Sequence, residues 1–405
     1  MKHVIFLCDG MSDYPDALSG KTPMEAAYKP NMDALCASGR LGRMQTLYPD
    51  LPTGSDTANL SVLGYDPHQY YTGRSPIEAL GLGIPLEDCD LVFRMNLVTL
   101  SEEEPFEEKR MVDHSADKIT TEEAAELVKA LALQLQTDFV RIHSGVSYRH
   151  VLILKHIDYA EVLTPPHDIL GRTIGEYLPK TEIADSIIAM MKESFAILSA
   201  HPVNISRKEK GLRPANCLWL WGQGRKPNYP SFSSQFGIEK GLTITAVPLV
   251  SGLAYGMGLD YRPVEGATGD FHTNYKGKAQ TAIDALQEGY SFVFVHVEAP
   301  DECGHDGDAE LKTRSIERID AEIVGPVVSH LKQSGEPFRI LITPDHATPV
   351  SVRTHTLDPV PFVLYDSAED HGTNSHVSYT EKAAERSDFV WEDAYKLMSY
   401  FTRTE

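Results

Sequence analysis

Apolar residues in this chain gather into short uninterrupted runs that end in acids or turn formers. "HVIFLCDG" (3–10), "TITAVP" (243–248), "SFVFVHVEAPD" (291–301), "FRILITPDH" (338–346) and "PVPFVLYD" (359–366) each read as a buried strand. A strand covered on both faces need not alternate apolar with polar positions, so such runs favour a parallel sheet. Between them the spacing changes to threes and fours. "NYKGKAQTAIDALQEG" (274–289), "AELKTRSIERIDAEIVGPVVSHLKQSG" (309–335) and "FVWEDAYKLMSYFTR" (389–403) predict helices. Strands alternating with helices predict an α/β fold, a mostly parallel sheet covered by helices on both faces. Ligands of such sheets sit beyond the carboxyl ends of the strands, which is where Asp9, Asp301 and Asp345 fall.

From residue 86 the pattern differs. "LVFRMNLVTL" (91–100), "TDFVRIHSGVSYRHVLIL" (137–154) and "NCLWLWGQG" (216–224) predict strands. "TTEEAAELVKALALQLQ" (120–136) and "EIADSIIAMMKESFAILSA" (182–200) carry amphipathic spacing and acids in the first turn, the marks of helices. This predicts an α+β domain, 86–231, inserted into a discontinuous domain made of 1–85 and 232–405. A chain of 405 residues is long enough for two cores.

Composition narrows the function classes. Hydrophobic residues make up 42% and charged residues 23%, and no stretch approaches the roughly 18 apolar residues of a membrane span. "MKHVIFLCDG" ends its apolar stretch on an aspartate without a small-residue cleavage site, so it reads as a strand and not as a signal peptide. Five scattered cysteines (8, 36, 89, 217, 303) without a CxxC pair suit free thiols in a reducing cytoplasm. The net charge of −21 argues against nucleic acid or an anionic membrane as partner. An anionic substrate would need metals or arginines to meet it.

Three strand-end loops concentrate donor atoms. "TPDHATP" sets Asp345 beside His346, "THT" follows with His355, and "APDECGH" sets Asp301 four residues before His305. Carboxylates mixed with imidazoles favour Mn²⁺, Zn²⁺ or a related ion, whereas Ca²⁺ takes oxygen almost alone. A single Asp-His pair is more often a cap or a surface turn, but three at strand ends favour a metal site. Cys303 lacks a second thiol nearby and reads as a packing residue, with Glu302, Asp306 and Asp308 solvated or one layer out. In "PTGSDTANLSVLGYDP", Ser55 stands where a glycine-containing turn enters a helix. It is either an N-cap or a nucleophile activated by helix N–H groups and a nearby cation. There is no GxxxxGK[ST] loop, and "GMGLD" and "GLGIP" fall short of GxGxxG, which removes the case for common nucleotide sites. "GVSYRH" brings Arg149 and His150, candidates for gripping an anion.

"DGMSD", "GKTPMEAAYKPNMDALCASGRLG", "PTGSDTANLSVLGYDPHQYYTGRSPIEALGLGI" and "PDHATPVSVRTHTLDPVPFVLY" resemble the cofactor-independent phosphoglycerate mutases of the archaeal type, in the alkaline phosphatase superfamily. The resemblance implies an alkaline-phosphatase-like sheet and two divalent ions, Mn²⁺ or Zn²⁺ with Mg²⁺ or Co²⁺ as alternatives. It implies one ion held by Asp9, Ser55, Asp345 and His346, the other by Asp301, His305 and His355, and Ser55 as the phosphorylated nucleophile. It further implies a small phosphorylated metabolite as partner, a lid formed by the inserted domain, and substrate contacts from Arg149, His150, Arg74, Arg225 and His114. "RMNLVTL", "MVDHSADKITTEEAAE" and "PANCLWLWGQGRKP" resemble a bacterial branch proposed to act as homoserine kinases, so the alternatives are that kinase, a metal-dependent phosphatase, or a non-catalytic binding protein. The last would be signalled by a missing ligand, and none is missing.

Overall fold

The strand Lys2–Cys8 lies at the centre of an eight-stranded sheet, with Phe292–Val297 and Phe338–Thr343 parallel to it on either side. Outward from Phe292–Val297 come Gly241–Ile244 and Asp260–Tyr261, both parallel. On the other side Val360–Asp366 runs antiparallel, followed by Arg40–Met44 and Val390–Trp391, which return to the common direction. The structure is a computed structural model and describes residues 1–16, 18–102, 105–157, 163–181, 184–369 and 377–403. It divides into two units, Met1–Tyr71 with Asn228–Glu405, and Thr72–Pro227.

The sheet of the first unit is mostly parallel because both faces are covered. Val4, Phe6 and Cys8 join a core with Met32, Leu35, Ala279, Ala282 and Ile316 on one face. On the other, the His3 ring meets Phe401 at 5.3 Å between centroids, and Phe292 meets Phe232 at 4.6 Å. Each fully buried Val, Ile or Phe contributes roughly 1.5–3 kcal/mol, so the run that the sequence writes without alternation is held from both sides.

Two predicted helices take a different course. The stretch 309–335 is Ala309–Ile319 and Gly325–Ser334, joined by a wider turn at Asp320–Val324. Pro326 has no N–H to close the normal ladder, and the Asp320 carboxylate is engaged with the N–H groups of Asn31 and Met32. The stretch 389–403 opens as the strand Val390–Trp391, and only Leu397–Thr402 is α-helical. The Phe389 and Trp391 rings pack on Tyr400 and favour an extended start.

In the second unit Asp90–Leu100 is flanked by Arg149–Lys155 and Cys217–Arg225, all antiparallel, with Met111–Asp113 and Val140–Val146 completing the sheet. Thr121–Leu135 and Ala184–Ser199 supply Leu127, Leu131, Ile187 and Met191 to its core; of the latter predicted helix, 182–183 lie outside the described residues. The boundaries differ from 86 and 231. Residues 72–85 belong to this unit because Ala79, Ile84 and Leu86 pack on Val92, Val151 and Ile153. Residues 228–231 belong to the first, where Tyr229 meets Tyr65 at 5.6 Å. No described helix is long and apolar enough to cross a membrane.

Candidate metal centre

Asp9 follows directly on the central strand, and its N–H continues the ladder by donating to Val297 O at 3.0 Å. The chain must then turn sharply past the neighbouring strand end. Gly10 does so at φ +61°, and a Cβ there would lie 2.6 Å from Asp301 Cα. Both the backbone angle and the space demand glycine.

The stretch carrying Asp301 and His305 is not a loop. Ala299–Asp306 is a helix ending on Gly307 at φ +76°, so the spacing of four puts the two side chains on one face. His305 Nε2 lies 3.2 Å from Asp301 Oδ2. Cys303 faces the opposite way, 2% exposed, and burial pushes its thiol up to about 12. Glu302 and Asp306 are exposed, and Asp308 caps the next helix by accepting from Leu311 N–H.

Two groups of donors assemble beyond the strand ends. Asp9, Asp345 and His346 offer atoms that all lie within 4.8 Å of one another, and so do Asp301, His346 and His355. His346 stands at the seam, its Nε2 3.4 Å from Asp9 Oδ1, 3.4 Å from Asp345 Oδ2 and 3.1 Å from Ser55 Oγ. Its ring stacks on His355 at 3.8 Å, and His355 Nε2 lies 3.2 Å from His305 Nε2 and 3.6 Å from Asp301 Oδ1. The seven residues expected from the sequence are therefore brought together.

The partners behind these side chains decide which atoms face inward. His305 Nδ1 donates to Arg353 O at 3.0 Å and His355 Nδ1 to Thr53 O at 3.2 Å. Each ring then turns the lone pair of Nε2 toward Asp301. The Thr348 hydroxyl donates to Asp301 Oδ1 and accepts from His346 Nδ1, so the His346 Nε2 lone pair faces Asp9 and Asp345. Asp345 is held by Asn59 Nδ2 at 2.9 Å and by the N–H groups of Gly10 and His346. Gly304 lets its helix close on this layer, since a Cβ there would lie 2.3 Å from Thr348 O.

Lone pairs and carboxylates facing one another repel unless a cation lies among them. Asp9 Oδ1 is buried and has no hydrogen-bond partner among the described residues. Burial pushes the Asp9 carboxyl well above its usual range, and Asp345, Asp301 and Glu298 push it further. Burial works the same way on Asp301, yet the adjacent His305 and His355 rings overcome it and hold that carboxyl well down. The same contact raises His305 to about 9. Donors about 2.1 Å from a tetrahedral ion are spaced roughly 3.4 Å apart, close to the separations found here. The donor set fits a divalent metal.

Ser55 does not cap its helix. Gly54 is the N-cap of Ser55–Val62, and the Ser55 hydroxyl instead points to His346. It thus sits at the positive end of a helix and beside the donor cluster.

The second unit holds the other candidates. Arg74 Nε donates to Glu78 Oε1 at 2.8 Å, and Arg94 Nε lies 3.1 Å from Glu78 Oε2. Burial opposes ionisation of Glu78, but Arg94, Arg74 and Arg149 outweigh it and hold the carboxyl below its usual range. Arg149 is exposed, near the Tyr148 ring, which His114 also meets edge-on at 5.7 Å. His150 departs from expectation: it is 3% exposed, Nδ1 accepts from Gly145 N–H, and burial pushes it down to about 4. Adjacent strand residues face opposite sides of a sheet, so His150 turns away from the side that Arg149 presents. Arg225 donates to Ile157 O at 2.8 Å.

Sequence reasoning missed Thr348, Asn59, Arg94 and His296. Thr348 and Asn59 lay inside the quoted motifs, but nothing in their spacing marks an orienting role.

A family model for 2,3-bisphosphoglycerate-independent phosphoglycerate mutase matches residues 36–204. The chain is 44% identical over 407 residues to a protein of that name from Methanosarcina barkeri, covering all of both chains. It is 45% identical to a probable one from Geobacter sulfurreducens, covering 98% of each. A solved structure from Pyrococcus horikoshii, 31% identical, aligns over 100% of this chain and 98% of that one with a TM-score of 0.82. The chain belongs to the family of 2,3-bisphosphoglycerate-independent phosphoglycerate mutases.

Proposed function

We propose that the chain interconverts 3-phosphoglycerate and 2-phosphoglycerate through a phosphoserine at Ser55. The observation that carries this is the Ser55 hydroxyl at a helix start, 3.1 Å from His346 Nε2 and beside a donor cluster with a buried unpartnered carboxylate oxygen. Asp9, Asp345 and His346, with Ser55, would hold one divalent ion, and Asp301, His305 and His355 a second; Mn²⁺ or Zn²⁺ suits the donors best. Bound there, the ions supply positive charge that acidifies the serine hydroxyl and neutralises phosphoryl oxygens.

The chain's residues do the rest. Ser55 Oγ loses its proton and attacks phosphorus; the substrate ester oxygen leaves and takes up a proton. The other glycerate hydroxyl then loses its proton and attacks the phosphoserine, and Ser55 Oγ leaves and takes up a proton, which restores the serine. Helix N–H groups at Ser55–Val62 favour the anionic oxygens. Arg74 and Arg149, with His114 and Arg225, are assigned to the carboxylate and phosphate of the substrate, since a chain of net charge −21 needs guanidinium forks to hold an anion. His150, buried, is not. No observation favours the homoserine kinase reading.

The test is incubation with 3-phosphoglycerate and Mn²⁺ in the absence of 2,3-bisphosphoglycerate, followed by ³¹P NMR. Appearance of 2-phosphoglycerate supports the proposal. Free phosphate formed faster than the isomer favours a phosphatase, and turnover only with homoserine and ATP favours the kinase. Ser55→Ala is expected to keep its bound Mn²⁺ and lose at least about 10³-fold in isomerisation.

A further inference from the structure

His296 interrupts an otherwise apolar run at the core of the first unit, in the strand Phe292–Val297, and is fully buried. A histidine there needs partners for both nitrogens. Nε2 lies 2.9 Å from Asp9 Oδ2 and Nδ1 lies 3.0 Å from Thr245 Oγ1. Thr245 Oγ1 in turn accepts from Val247 N–H at 3.0 Å.

The direction of these bonds is set by the groups. As a metal ligand Asp9 is ionised and can only accept, so Nε2 carries the ring proton. In the neutral ring Nδ1 then accepts, and the donor to it is the Thr245 hydroxyl, whose oxygen is already oriented by the Val247 amide. The chain of bonds runs from backbone to threonine to histidine to carboxylate. Its outcome is visible at Asp9: Oδ2 is tied back, and Oδ1, the atom with no hydrogen bond, is the one turned toward His346.

We infer that His296 and Thr245 form a positioning relay that presents one chosen oxygen of Asp9 to the metal centre. The inference rests on the reading of Asp9 as a metal ligand. Orienting partners of this kind typically change metal affinity 10–100-fold when removed. His296→Leu keeps the bulk and removes the N–H; His296→Gln restores a donor near the Nε2 position; Thr245→Val removes the hydroxyl at constant shape.

The experiment is Mn²⁺ titration of the full, metal-stripped chain, with free Mn²⁺ counted by EPR, alongside thermal melts. Asp9→Asn is the reference and is expected to lose one of two ions. His296→Leu is expected to weaken that same ion about 10–100-fold and leave the other unchanged, with most of the loss recovered in His296→Gln. Thr245→Val is expected to weaken it by a few-fold. Native Mn²⁺ affinity in His296→Leu overturns the inference, as does a His296→Gln that melts normally yet binds as weakly as His296→Leu. If His296→Leu does not fold, Thr245→Val decides, and native affinity there overturns it. Should Asp9→Asn itself keep both ions, the proposed ligand set falls and the relay with it; if Asp9→Asn loses an ion and the His296 variants do not, only the relay falls.

Discussion

The donor cluster of the first unit and the arginine patch of the second handle charge in opposite ways. In the cluster nearly every side chain is fixed from behind: His305 by Arg353 O, His355 by Thr53 O, His346 by Thr348, Asp345 by Asn59 and two amides, Asp9 by His296. Arg74 and Arg94 share one carboxylate, Glu78, and Arg149 reaches into solvent. Buried charges interact strongly and must be placed to a fraction of an ångström, because a misplaced lone pair is not screened. Arg94 and Glu78 are themselves largely buried, but the more exposed guanidinium groups of Arg74 and Arg149 act through a softer, salt-screened attraction and can tolerate freedom. The contrast predicts that the cluster governs turnover and the patch governs binding.

The strongest way to break that contrast is Asp301→Asn. Asp301 is the group on which His305, His355 and Thr348 converge. Losing its charge is expected to lower kcat by about 10³-fold with little change in KM, and to cost one Mn²⁺ in a dialysis measurement. A variant with near-native kcat would show that the cluster does not carry the chemistry.

Glu78→Gln probes the other side. The neutral amide cannot hold Arg74 and Arg94 in their present forks, so the guanidinium groups are expected to spread and KM to rise roughly tenfold while kcat stays within about threefold. A fall in kcat with unchanged KM would erase the division between the two regions.

A smaller effect should appear in stability. Burial pushes the Glu381 carboxyl up to about 7, against hydrogen bonds from Thr22 and Asp13 that favour ionisation. The folded chain therefore holds a proton there that the unfolded chain releases near pH 4.5, and this contribution to stability declines as pH rises from about 4.5 to about 7. Glu381→Gln is expected to flatten that part of the curve of Tm against pH. An unaltered slope would mean that another group produces it.

The sequence made the strand ends legible because buried parallel strands have an unmistakable apolar signature and end where function sits. Asp9, Asp301, Asp345 and His346 were visible for that reason. The helix Ala299–Asp306 was hidden, because its proline, glycine and run of acids are turn formers by composition, and only the i,i+4 pairing of Asp301 with His305 hinted otherwise. His296 was hidden by its neighbours, since a histidine in an apolar run reads as a core residue until its partners, 51 and 287 positions away in sequence, are known. His150 could have been excluded by the two-residue period of a strand, which forbids it from sharing the side that Arg149 presents. The unit boundary at 72 depended on Ala79, Ile84 and Leu86 finding the second sheet, a tertiary choice that no local pattern encodes.

Cys303→Ala is expected to do least and sharpens the contrast from within the cluster itself. The thiol lies between two of the proposed ligands in sequence, yet it is buried on the far side of their helix, away from the donor cluster, and burial pushes it up to about 12. Removing the sulfur leaves a small void costing about 1 kcal/mol, which should lower Tm by a few degrees. Mn²⁺ affinity and kcat should match the parent. A loss of metal in this variant would put a sulfur ligand into the centre, and the division of Asp301 and His305 from the rest of their helix would have to be redrawn.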